Sequence, residues 1–140
     1  MKLYHHILVA TDLSDGCLKV AKQARQLADA MGAKLSLVHI VEPIPAYGYP
    51  GILDLQSPFI DQAKEEVAKL SETIGIAKEA QYVELGSVKT QILNVAAELN
   101  IDLIVIGSHG RHGLSRLLGS TTSAVIHGAN CDVLTVRATE

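Results

Sequence analysis

Short apolar runs, each too brief for a helix and each followed by a polar or glycine-rich break, constrain this chain more than any other feature. Ile7-Leu8-Val9-Ala10 and Leu103-Ile104-Val105-Ile106 are uninterrupted, and Leu35-Ser36-Leu37-Val38-His39-Ile40-Val41 is nearly so. A strand with one wet face alternates apolar and polar residues, whereas a strand covered on both faces does not. These runs therefore predict strands of a parallel sheet buried between helices.

The segments between them carry the helical period. Cys17, Val20, Ala21, Ala24, Leu27, Ala28 and Met31 recur at three- and four-residue spacing, with Gly32 just beyond, which predicts a helix ended by a left-handed glycine. Ser14 reads as the cap of that helix, which leaves Asp12 free. A second helix is predicted over 59–74 with Gly75 as its stop, and a third runs from Gly86-Ser87 through Ile92, Val95, Ala96 and Leu99 to Asn100. A fourth spans 120–127, stopped by Gly128. Ala80 to Leu85 alternates and predicts a strand at a sheet edge, and Asp132 to Val136 predicts the last strand. All four prolines fall between Pro43 and Pro58, a stretch expected to form a long surface loop. Strands alternating with helices call for an α/β domain of three layers spanning 1–140, with right-handed crossovers.

Composition removes several classes of function. The net charge is -3 with Lys and Arg scattered, so no nucleic-acid footprint is expected. No apolar run approaches the ~20 residues that span a bilayer, and the first strand comes too early for a signal peptide, so a cytoplasmic protein is expected. Cys17 and Cys131 are far apart in the chain and form no CxxC pair, which reads as two reduced thiols. The six histidines lie on different elements without acidic or thiolate partners at ligand spacing, so no structural metal is expected. Ser14, Ser108 and Ser115 lack a GxSxG setting, and nothing in the chain points to an enzyme.

In an open parallel sheet, ligands collect beyond the carboxyl ends of the strands, where the strand order reverses. Thr11 and Asp12 follow the first predicted strand, Ile40 ends the second, and Gly107 to Thr121 follows the fourth. Gly107 and Gly110 leave no Cβ between their backbone and a bound anion. Gly119-Ser120-Thr121 opens the last helix, whose unpaired N–H groups and dipole favour negative charge, and Arg111 and Arg116 lie within the loop. Glycines alone would only shape a strand-to-helix turn; with Ser120 and Thr121 on the same edge they read as a phosphate cradle. Asp12 suits a ribose or base group as an acceptor, or serves as a helix cap.

Four ordered blocks resemble the universal stress protein family: His6 to Ser14, Val38-His39-Ile40, Asp102 to Gly110, and Cys131 to Val136. The resemblance covers essentially the whole chain. It implies an adenine nucleotide alpha hydrolase-like fold, a three-layer open parallel sheet of five strands in the order 3-2-1-4-5, and a role in stress endurance. It also implies a homodimer through the last strand, placing Val133, Leu134, Thr135 and Val136 at the interface. Nucleotide-binding members carry Gly, two residues, Gly, nine residues, then Gly with Ser or Thr. By that likeness Gly107, Gly110, Gly119, Ser120 and Thr121 would hold ribose and phosphates of ATP or AMP, with Mg2+ accompanying the phosphates. Asp12 and Ile40 would flank adenine, with Thr11 beside them. Here only eight residues, Arg111 to Leu118, separate Gly110 from Gly119, so the loop must turn more tightly, with Gly113 the obvious site. Two readings follow: a nucleotide-binding regulator without substantial turnover, and a nucleotide-free dimer acting through protein contacts.

Overall fold

A computed structural model of the chain describes residues 3–43, 57–108 and 119–137. Most of the proline-rich stretch, together with Gly110, Arg111, Gly113 and Arg116, lies outside the described residues. The element order is β1 (His6–Ala10), α1 (Cys17–Met31), β2 (Lys34–Val41), α2 (Ser57–Ile74), β3 (Gln81–Leu85), α3 (Val88–Glu98), β4 (Leu103–Gly107), α4 (Ser120–Gly128) and β5 (Asp132–Val136). A single 3-10 turn, Lys78–Ala80, leads into β3.

The strands form one parallel sheet in the order β3-β2-β1-β4-β5. Its register places Ala10 opposite both Val38 of β2 and Ile106 of β4. Alternate residues of each strand point to opposite faces. Ile7, Val9, Leu37 and Val105 meet Val20, Ala24 and Ala28 of α1 and Val67, Leu70 and Ile74 of α2. Leu8, Ala10, Val38, Ile40, Ile104 and Ile106 meet Ile92 and Val95 of α3 and Val125 of α4. The unbroken apolar runs thus lie where helices cover both faces. Ile7, Leu8, Leu37 and Ile104 are fully buried, and truncation of such a side chain to Ala typically costs about 2–5 kcal/mol.

The helix ends show which glycines act through conformation and which through size. Gly32 has φ 65 and its N–H meets the carbonyls of Ala28 and Asp29, the left-handed stop that the sequence predicts. Gly128, predicted as a stop of the same kind, is instead the last residue of α4. A Cβ there would come within 2.8 Å of Leu93 Cδ1, so its smallness lets α4 lie close against α3. Helix α2 begins at Ser57, two residues earlier than predicted. Pro58 therefore belongs to its first turn, where a missing N–H costs nothing and the fixed φ suits the helix.

Candidate functional site

Strands β1 and β4 are neighbours, but α1 leaves β1 toward one face of the sheet while α3 and α4 pack on the other. Such a reversal of strand order is where open α/β sheets receive ligands, beyond the carboxyl ends of the strands. Because Ala10 pairs with Ile106, Thr11, the first residue past β1, follows on beside Gly107, the last residue of β4.

The segment after β1 is held from several directions. Thr11 N–H donates to the Val38 carbonyl at 2.9 Å. The His39 ring Nδ1 lies 2.9 Å from the Thr11 carbonyl oxygen. Thr11 Oγ1 accepts the Leu13 N–H at 3.1 Å, and Asp12 Oδ1 accepts the Ser14 N–H at 2.9 Å. Between these two bonds Leu13 takes φ 60, a left-handed conformation that is uncommon outside glycine and asparagine. The turn changes two expectations. Ser14 does not cap α1 with its hydroxyl; the N-cap residue is Gly16, without a side-chain bond, and Ser14 supplies its backbone carbonyl to Cys17 N–H at 3.0 Å. Asp12 is accordingly engaged through one oxygen, while Oδ2 has no hydrogen-bond partner among the described residues.

The β4 end is joined to α4 by bonds that the sequence reading missed. Thr122 Oγ1 donates to the Gly107 carbonyl at 2.7 Å, and Thr122 is buried. Ser108 N–H donates to the Val136 carbonyl at 2.8 Å, and Gly119 N–H donates to the Ser108 carbonyl at 3.0 Å. Thus the Gly107 carbonyl and the Ser108 N–H are already paired within the protein. Groups for an anion come from the start of α4. Gly119 is its N-cap residue and no side chain caps it. The first-turn N–H groups have no intrahelical partners, and the dipole is positive there. Ser120 is exposed and Thr121 half-buried, and no described residue bonds either hydroxyl. The only sequence signal for Thr122 is its place three residues before Val125, which is also buried.

Ile40 is 6% exposed, lies on the α3 side of the sheet and pairs with Glu84. Together these residues offer an apolar wall, a carboxylate oxygen and a set of donors. That combination suits a ligand that carries an apolar ring, a hydrogen-bond donor and an anionic group. Cys17, at the start of α1, is pushed up by burial, with a hydrogen bond from Thr11 opposing in part, so it stands as a thiol at neutral pH. His6 meets Ser36 Oγ, His39 meets Thr11 and His127 meets the Ser123 carbonyl. Among the described residues no three His, Cys, Asp or Glu side chains gather as a metal site, and no helix is long and apolar enough to cross a membrane.

A model of the universal stress protein family matches residues 3–137. Universal stress protein A homolog 1 of Coxiella burnetii is 41% identical over 138 residues, spanning 95% of this chain and 96% of that relative. The structure of universal stress protein UspA from Lactobacillus plantarum is similar with a TM-score of 0.81 at 28% identity, covering 96% of this chain and 98% of that one. A universal stress protein in complex with cAMP is similar with a TM-score of 0.70 at 26% identity, covering 97% and 98% respectively.

Proposed function

Because the chain belongs to the universal stress protein family, we propose that it is a cytoplasmic stress-response regulator that binds an adenine nucleotide, ATP or AMP, without substantial turnover. The observation that carries this reading is the uncapped start of α4, Gly119-Ser120-Thr121, at the β1/β4 switch point that also presents Asp12. Ser120, Thr121 and the first-turn N–H groups of α4 would hold phosphate, with Gly107 and Gly110 leaving room for it. Asp12 Oδ2 would accept from a ribose or base group, and Thr11 and Ile40 would line the adenine side. Mg2+ would accompany ATP through its phosphates rather than through a protein cage. The complex of a family member with cAMP supports an adenine nucleotide as the ligand class.

A homodimer through the open edge of β5, using Val133, Leu134, Thr135 and Val136, belongs to the same proposal. Its motive is an edge strand with Leu134 37% exposed. The eight residues between Gly110 and Gly119 favour a second reading, a nucleotide-free dimer acting through protein contacts. Calorimetric titration with ATP and Mg2+, and separately with AMP, decides between the two. Saturable binding is expected; no heat of binding at millimolar nucleotide would leave the nucleotide-free reading standing.

A further inference from the structure

The β1 strand ends at Ala10, so the Thr11 carbonyl is the first beyond the strand. Its partner is a side chain of the neighbouring strand, His39, through Nδ1 at 2.9 Å. The same residue, Thr11, donates its N–H to the Val38 carbonyl and accepts the Leu13 N–H on its hydroxyl oxygen. Three bonds therefore converge on Thr11, two residues before Leu13, whose φ is 60. A branched-chain residue in the left-handed region persists only where its surroundings hold it there. The residue carried on that turn is Asp12, with one oxygen tied to Ser14 N–H and the other without a partner among the described residues.

We infer that His39 is a positioning residue of the candidate site: its ring N–H fixes the Thr11 carbonyl, locks the left-handed turn at Leu13, and so sets the direction in which Asp12 Oδ2 is presented to a ligand. This rests on the nucleotide reading for the identity of the ligand, but not for the lock itself. His39 is half-buried and acts through the backbone that follows the neighbouring strand.

The lock depends on a donor at the position of Nδ1. An Asn side chain places its amide nitrogen near that position, a Gln side chain places it near Nε2, and Leu offers no donor. The test compares His39→Asn, His39→Gln and His39→Leu with the wild-type chain by hydrogen exchange of the Leu13 and Ser14 amides, thermal midpoint, and calorimetric affinity for ATP with Mg2+. In H39Q and H39L the two amides should exchange about tenfold faster and affinity should fall about tenfold, the scale of one lost hydrogen bond. H39N should restore both even where its thermal midpoint is lowered by the smaller side chain. Protected amides in H39L overturn the inference, as does affinity that follows the thermal midpoint across the three variants instead of the donor. A wild-type chain that binds no nucleotide overturns the proposed function alone, and the exchange rates then still decide whether His39 holds the turn.

Discussion

His6 sits at the edge of the sheet opposite the candidate site, with Nε2 2.8 Å from Ser36 Oγ. Burial lowers its pKa below the ordinary histidine value, with a backbone bond to Leu99 opposing in part. The folded protein therefore holds His6 neutral where the unfolded chain has begun to protonate. Stability from this group is complete above the unfolded value of about 6.5 and falls as the pH drops below it, levelling off once the folded group is also charged. Asp102 acts in a second, lower window. Burial pushes its carboxyl up, but the bonds from His5 and His6 N–H outweigh burial and hold it below its usual value, so its contribution fades on further acidification. The thermal midpoint should be flat with respect to His6 above neutrality and should fall below it, and His6→Gln should remove the first part of that fall. An unchanged slope in the variant would refute the assignment. At this scale the sequence is least legible. Asp12, Ser120 and Thr121 are visible because their types and their place after a strand or before a helix suggest chemistry. His39, Thr122 and Ser14 are not, because what each does depends on a backbone atom brought close only by folding.

Elements are legible where burial sets the pattern. The runs at β1 and β4 read as buried strands because both their faces are covered, and α1 reads from its three-and-four spacing to the stop at Gly32. The errors fall where a residue type has two physical uses. Pro58 is expected at the end of a surface loop, yet it lies in the first turn of α2; Gly128 is expected as a left-handed stop, yet it serves close packing against Leu93. β5 lies at one end of the strand order, with Val133 and Thr135 half-buried and only Val136 of its residues buried. The proposed dimer makes Leu134 the informative position, because it is partly exposed and a charge there leaves the core intact. Sedimentation velocity should show a dimer for the wild type at micromolar concentration. Leu134→Lys should weaken association by more than about tenfold, with the thermal midpoint of the monomer preserved. A monomeric wild type would contradict the interface.

At the scale of the whole molecule, five parallel strands in the order β3-β2-β1-β4-β5 create a switch point between β1 and β4, where Thr11 and Asp12 follow β1 and Ser108 follows β4. Alternating strands and helices predict the layers, while the strand order follows from the family likeness, since many orders satisfy the same alternation. The site is legible as an edge and as a set of residue types; its pairings, which among the described residues leave Asp12 Oδ2 and the start of α4 without side-chain partners, are not. The proposed function places an adenine nucleotide at this edge. Amide chemical-shift mapping during titration with ATP and Mg2+ tests it most directly. The account predicts saturable shifts in residues 11–14, 40–41, 107–108 and 119–122, with the exposed face of α1 at Leu18, Lys19 and Lys22 unmoved. Shifts centred on that α1 face, or no shifts at millimolar nucleotide, would contradict it.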